Sequence, residues 1–185
     1  MKHLIKIAAV ACLIAFVSLS MNAQSKTVMV GGEAMYPMKN IVENAVKSKS
    51  HTTLVAAVKA AGLVETLQGK GPFTVFAPVN DAFENLPAGT VETLLKPESK
   101  ATLTKVLTYH VVSGRYDFKA LAAMLKKGTS TLKTVSGGTL TFMMNGPRNI
   151  VVKDESGNTA NIVTYDVYQS NGVIQSIDTV LLPKM

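Results

Sequence analysis

The sequence predicts an α+β domain, because helical patterns come early in the chain and strand patterns come late. Before residue 128, apolar residues recur at helical spacing in several segments. From Thr129 onward, short β-like runs alternate with turns rich in Gly, Asn and Ser. One strand, at 73–77, interrupts the helices. This order favours an α+β fold over a regular βαβ repeat.

The first 23 residues are predicted to be an export signal. Lys2 and Lys6 give a positive start, 7–19 is almost wholly apolar, and Ala23 is the small residue before the expected cleavage site. The apolar stretch is shorter than the roughly 20 residues that a membrane-spanning helix needs. We therefore expect a secreted protein, in the periplasm, at the cell surface or outside the cell, with no integral membrane span.

Cleavage after Ala23 leaves 162 of the 185 residues, the length of one domain. Residues 24–37 are predicted to be a flexible lead-in and 38–185 a single domain. Cys12 is the only cysteine and lies inside the apolar run, so the mature chain has no disulfide and no thiolate ligand.

The charge of the chain does not indicate a nucleic-acid partner. Without Lys2 and Lys6 the chain has 17 basic and 12 acidic residues, a net charge of +5. Nucleic-acid-binding proteins show clustered basic residues with aromatic platforms, which are missing here. The positive excess fits solubility, or an acidic polysaccharide partner.

Two helices are predicted before the early strand. Pro37 is expected to open a segment whose apolar stripe lies at 41–46. A second start signal at Ser50 precedes apolar residues at helical spacing in 54–61, and Gly62 is placed to end that helix in a left-handed turn.

The early strand is predicted to lead directly into a short helix. Pro78 stops the strand, and Asn80 or Asp81 is expected to cap the helix by accepting free backbone N–H groups. Pro97 suits the first position of a later helix that runs to about Tyr109.

The last part of the chain is predicted to form one more helix and then a set of strands. Asp117 is expected to cap the helix and Gly128 to close it. The strands that follow are predicted at 139–143, 149–153, 159–163 and 172–177.

Three motifs in fixed order resemble the fasciclin (FAS1) domain family. They are Gly71 to Phe83 (GPFTVFAPVNDAF), Leu107 to Val112 (LTYHVV) and Asn171 to Asp178 (NGVIQSID). The resemblance spans about 38–183 and implies a wedge-shaped β-sandwich with helices packed around it. The motif residues with an expected structural role are Thr74, Phe76, Pro78, Asn80, Asp81, Phe83, Asn171, Gly172, Ile174 and Asp178.

The resemblance also implies candidate binding residues. In animal members of the family the Tyr-His segment is implicated in integrin adhesion. The resemblance therefore implies Tyr109 and His110 as candidate contact residues in this chain. A second adhesive Asp-Ile pair aligns with Asp166 and Val167, where Val replaces Ile. His110 continues the apolar stripe of its helix, so the residues themselves predict a buried, neutral imidazole. Tyr109 lies beside that stripe and is expected to direct its hydroxyl outward.

No motif in the sequence indicates catalysis, a metal or a cofactor. The mature chain has two histidines, His51 and His110, and lacks a nucleophile elbow, a zinc motif and a phosphate loop. His51 is expected to be an ordinary polar residue at a helix start. A hydrolase with a carboxylate pair stays open as a third function.

The sequence therefore favours a secreted, non-enzymatic adhesion or binding module for a cell-surface or matrix protein or glycan. The alternative is a small-molecule or lipid carrier with an apolar cleft between helices and sandwich. The nine methionines are expected to fill gaps in the core, and exposed side chains at Met143 and Met144 would change that interpretation.

Overall fold

The computed structural model describes residues 27–184, and the predicted export signal at 1–23 lies outside them. The strands are β1 Val28–Val30, β2 Glu33–Met35, β3 Phe73–Pro78, β4 Val111–Ser113, β5 Thr131–Lys133, β6 Thr139–Asn145, β7 Asn149–Lys153, β8 Thr159–Gln169 and β9 Gly172–Ile177. The helices are α1 Ile41–Ala45, α2 Thr52–Ala61, α3 Val64–Gln68, α4 Asn80–Glu84, α5 Thr90–Leu94, α6 Lys100–Tyr109 and α7 Phe118–Lys126. Two 3₁₀ turns, Lys49–His51 and Pro97–Ser99, precede α2 and α6.

Strands β3 to β9 form one strongly curved sheet in the order β4-β3-β9-β8-β7-β6-β5. Strands β3 and β9 are parallel, and the other neighbours are antiparallel. The two ends of the sheet approach each other, because Val112 of the end strand β4 forms a bridge with Thr134, which directly follows the other end strand, β5. The sheet is therefore almost closed, and the predicted α+β, sandwich-like architecture is confirmed.

The core divides between the two faces of β3. Val75 and Ala77 face a helix layer that includes α1, α2, α3 and α6. Phe76 faces the opposite way, into the interior of the curved sheet, where its ring centroid is 5.4 Å from that of Phe142. Leu121 of α7 closes this interior and is fully buried. Side chains of a strand alternate between faces, so one strand supports both cores.

Elements with strong local signals occur where the sequence predicts them. Helix α2 ends at Gly62, whose φ of 75° is left-handed. Helix α7 begins after Asp117, whose side chain accepts a hydrogen bond from the Ala120 N–H. The four late strands are also confirmed, although β8 runs on to Gln169.

The structure corrects two predictions near the N-terminus. The expected flexible lead-in contains the hairpin β1–β2, whose turn is made by Gly31 and Gly32 with φ of 60° and 79°. Helix α1 begins at Ile41 and not after Pro37. Asn40 sets this start, since its side chain accepts from the Glu43 N–H while the Glu43 carboxylate accepts from the Asn40 N–H.

Candidate functional site

His110 follows α6 and is a buried structural link. Its Nδ1 lies 2.8 Å from the Val106 carbonyl oxygen, and its Nε2 accepts from the Leu181 N–H at 3.0 Å. These two partners require the proton on Nδ1. Burial lowers the pKa of His110 to about 4, although the Val106 carbonyl and Asp154 oppose this effect. The prediction of a buried neutral imidazole is confirmed.

Tyr109 is fully buried, so the prediction that its hydroxyl points outward is wrong. The hydroxyl donates to the Thr139 carbonyl at 2.8 Å and accepts from the Glu155 N–H at 2.9 Å. Burial is the main reason that the pKa of Tyr109 rises to about 12. Helical spacing places Tyr109 on the flank of α6, and strand β6 with the turn after β7 covers that flank.

Asp166 and Val167 lie at an irregularity in β8, opposite β9. Asp166 has a φ of 58°, and its Oδ1 accepts from the Phe118 N–H and from Nε2 of Gln175, both at 2.8 Å. Gln175 in turn accepts from the Asp166 N–H at 3.0 Å. Val167 is buried in the helix-side core. The carboxylate of Asp166 therefore holds the start of α7 against the sheet.

The four predicted binding residues do not form one exposed surface. Tyr109, His110 and Val167 have at most 2% of their surface exposed. Val167 and His110 line the same apolar cavity, whereas Tyr109 belongs to the interior of the sheet. The role of these four residues in binding stays a prediction. Because three of the side chains are buried, they would affect a partner only by stabilising the surface above them.

Asn80 caps a different helix from the one predicted. Its Oδ1 accepts from the Thr53 N–H and the Thr52 hydroxyl, each at 3.2 Å, and its Nδ2 donates to the Lys49 carbonyl at 2.8 Å. The side chain therefore caps α2, although Asn80 itself begins α4. Asp81 is exposed, and α4 has no side-chain cap in the described chain.

Asn171 joins two helices to the turn between β8 and β9. Its Oδ1 accepts from the Ile41 N–H at the start of α1. Its Nδ2 donates to the carbonyls of Leu67 and Gly69 at the end of α3. Each bond satisfies a backbone group that a helix terminus leaves without a partner.

The remaining motif residues also have structural contacts. A Cβ on Gly172 would lie 2.2 Å from the Phe73 carbonyl oxygen, so only Gly fits there. Asp178 ends β9 by accepting from both the backbone and the side-chain amide of Asn161. The Thr74 hydroxyl donates to the Gly114 carbonyl. The apolar members either pack into hydrophobic clusters or end β3: Phe76, Phe83, Ile174 and Pro78.

His110 has no cluster of metal ligands around it within residues 27–184. No three His, Cys, Asp or Glu side chains of this range cluster as metal ligands would. Asp154 is the acid whose charge acts on the pKa of His110, and its oxygens accept from Asn158 and from the Leu182 N–H. The ring nitrogens of His110 and the carboxylate of Asp154 are thus held by structural hydrogen bonds.

An apolar cavity of about 240 Å³ lies between the helix layer and strands β3 and β9. Its lining includes Val55, Val58, Phe73 and Ile174, together with the His51 imidazole. His51 is 3% exposed, which corrects the expectation of an ordinary polar residue at a helix start. Its position in the cavity depends on packing between helix and sheet, which local sequence does not reveal.

The outer β5–β8 face is the exposed side of four neighbouring strands. Its outward residues include Lys133, Thr141, Met143, Val151, Lys153, Asn161 and Val163. Met143 and Val163 are 42% and 53% exposed. With Met144 also 42% exposed, the expectation that the methionines fill the core is wrong for this strand.

The Fasciclin domain profile matches residues 49–183. The chain belongs to the fasciclin domain family. It is 47% identical over 165 residues to protein sll1483 of Synechocystis, spanning 89% of this chain and 85% of that protein. It is 35% identical to the cell surface glycolipoprotein MPB83 of Mycobacterium bovis, over 83% of this chain and 64% of that protein.

A structural neighbour supports the same fold. A FAS1 domain pair from the insect cell adhesion molecule Fasciclin I superposes with a TM-score of 0.71 over 79% of this chain and 51% of that one, at 18% identity. This neighbour shows the fold, and the relatives of the chain include a protein at the cell surface. Every helix among residues 27–184 is too short or too polar to span a bilayer.

Proposed function

We propose that this protein is a secreted, non-enzymatic adhesion module that binds a cell-surface or matrix protein or glycan. The observation that carries the proposal is the family match over 49–183, in a family with cell-surface and adhesion members. The chemistry of the chain agrees with it. The conspicuous polar residues of the motifs, such as His110 and Asn80, are occupied by structural hydrogen bonds.

The outer β5–β8 face is the surface that suits a partner best. Met143 and Val163 supply apolar contact area, and Lys133 and Lys153 supply positive charge. The outward residues of these strands from Thr131 to Val163 include no carboxylate, and the two carboxylates that border the face, Asp178 and Glu155, accept hydrogen bonds from Asn161 and Thr139. An acidic glycan or an acidic protein surface complements this arrangement.

Retention of the protein on surfaces tests the proposal. We expect exported protein to be retained on immobilised envelope glycans, matrix or whole cells, above the same protein after unfolding. Because two lysines contribute, retention should fall as salt rises. The double variant Lys133→Glu/Lys153→Glu should reduce retention at least fivefold without loss of the fold.

The matched control carries the same change in net charge elsewhere. Lys47→Glu/Lys96→Glu alters two exposed lysines that lie outside the four strands. This control should retain the wild-type binding. Absence of retention on every surface would contradict the adhesive function, and equal retention of both double variants would contradict the choice of surface.

A carrier of small molecules or lipids is the second candidate, and the apolar cavity favours it. The sequence proposes this function from the methionine-rich strands. In the structure Met143 faces outward, and the cavity is instead lined by aliphatic side chains of α1, α2, α3 and strands β3 and β9.

A further inference from the structure

We propose that the apolar cavity binds an uncharged amphipathic molecule with an apolar body of about ten carbon atoms and one hydroxyl group, which contacts Nε2 of His51. The inference rests on the carrier candidate and gives that candidate a ligand class and an anchoring atom. It does not depend on adhesion through the outer β5–β8 face, whose outward residues do not line the cavity.

The size of the cavity sets the size of the ligand. Its volume is about 240 Å³. An apolar protein cavity of ~150 Å³ stays dry and accepts benzene. By proportion this cavity accommodates a body of about ten carbons, such as two fused rings or a medium-length chain.

The lining of the cavity offers almost no polar partner. Most of its wall is aliphatic or aromatic, with Val42, Val75 and Ile174 as examples. Two polar lining residues are occupied, since the Thr108 hydroxyl donates to Thr104 and both ring nitrogens of His110 have backbone partners. A water molecule needs two to four polar partners, so water is poorly suited to this space.

His51 supplies the one buried, unpartnered side-chain atom of the wall among residues 27–184. Its Nδ1 is 2.9 Å from the Ser48 hydroxyl, which fixes the ring, while Nε2 has no hydrogen-bond partner. The Ala77 backbone lies close to the ring and raises the pKa of His51, and Nε2 itself is almost completely covered, so a ligand hydroxyl reaches it through a small adjustment of this packing. A buried polar atom of this kind is unfavourable, and a ligand group that pairs with it removes the penalty.

The protonation of His51 selects the head group. Burial lowers the pKa of His51, so the ring is neutral at pH 7. A neutral ring in an apolar wall does not compensate the charge of a carboxylate. A hydroxyl both donates and accepts, so it pairs with Nε2 in either tautomer.

The cavity is accessible from outside. Val46 and Val135 belong to its lining, and each is 47% exposed. Exposed Lys59 of α2 also lines it. The wall of the cavity therefore reaches the protein surface at the end of α1 and at the loop after β5.

Three related probes test the inference on protein purified after expression of the full chain. 1-Naphthol has ten carbons and one hydroxyl, naphthalene lacks the hydroxyl, and 1-naphthoate carries a charge. Titration followed by fluorescence or calorimetry should show the tightest binding for 1-naphthol. We expect naphthalene and 1-naphthoate each to bind at least tenfold more weakly.

Variants separate the roles of the head group and of the apolar wall. His51→Phe keeps a ring and removes Nε2, so it should weaken 1-naphthol at least tenfold and change naphthalene less than twofold. Val58→Phe fills the cavity and should abolish binding of both. Val163→Phe adds the same volume on the outer β5–β8 face and should change neither.

Nitrogen NMR of the imidazole rings detects the contact between the ligand and Nε2 of His51 in the wild-type protein, so this test does not depend on the folding of a variant. The Nε2 resonance of His51 should shift on addition of 1-naphthol, and that of His110 should not. Equal affinity for 1-naphthol and naphthalene, or no shift at His51, would overturn the assignment of the anchor. Absence of binding by all three probes would overturn the cavity site and the carrier candidate together.

Discussion

At the scale of single residues, the motif side chains that look most reactive are the most constrained. His110 has both ring nitrogens bonded to backbone groups of α6 and of the C-terminal segment. Tyr109 likewise uses its hydroxyl as donor and acceptor between β6 and the turn after β7. Their hydrogen bonds connect distant parts of the chain. This structural role accounts for a His and a Tyr at these positions without a catalytic role.

The burial of His110 predicts a pH dependence of stability. Its pKa falls from 6.5 to about 4 on folding, so between these values the unfolded chain binds more protons than the folded one. The free energy of unfolding should be highest above pH 6.5 and should decrease by about 3 kcal/mol as pH falls to 4. Urea denaturation across this range measures it.

His110→Gln is the control for this prediction, because carboxylates and His51 also titrate in acid. The variant should be less stable than wild type at pH 7, since the two backbone bonds are lost. Its free energy of unfolding should then decrease less between pH 7 and pH 4.5. Equal decreases in both proteins would show that His110 is not the group responsible.

The sequence predicts the environment of His110 but not that of Tyr109. Residues at positions three, four and seven before His110 are apolar, and this periodicity places the imidazole on the buried face of α6. Tyr109 lies at the edge of that face. Its burial depends on strand β6 and the β7–β8 turn, more than 25 positions later in the chain.

At the scale of elements, the helices are capped by residues that are distant in sequence. Asn80 caps α2 and Asn171 holds α1 and α3. His51, the residue before α2, gives no side-chain cap of its own. Capping by another element couples the position of each helix to the sheet.

Substitution of Asn80 should show this coupling. Asn80→Ala removes three hydrogen bonds around the start of α2 and should lower the free energy of unfolding by about 2 kcal/mol. Asp81→Ala, at the adjacent exposed position, should change it by less than about 0.5 kcal/mol. Chemical denaturation of the pair measures the difference, and similar losses in both variants would contradict the cap.

Elements bounded by clear start and stop signals could be predicted, including the five-residue strand β7, whereas several other elements of three to five residues could not. Helix α2 has a start signal and a terminal Gly, and both are local. Helices α3 and α5 and strands β4 and β5 span only three to five residues. Over that length helical and strand periodicity cannot be told apart, and pairing with neighbours decides the structure.

At the scale of the whole molecule, the curved sheet separates two surfaces of different character. The helix layer covers one side of β3 and β9 and encloses the cavity with His51. The outer β5–β8 face stays open, with Met143 and Lys153 directed to solvent. The motifs predict the sheet, but the cavity depends on how closely α1, α2 and α3 pack, which sequence patterns do not report.

We propose that the Tyr-His segment has a structural role and that contact with a partner occurs elsewhere. Tyr109→Phe tests it directly when stability and retention are measured on the same preparation. The variant keeps the ring and loses both hydroxyl bonds, so the free energy of unfolding should fall by about 2 kcal/mol. Retention per folded molecule should equal that of wild type. Loss of retention with unchanged stability would contradict the claim.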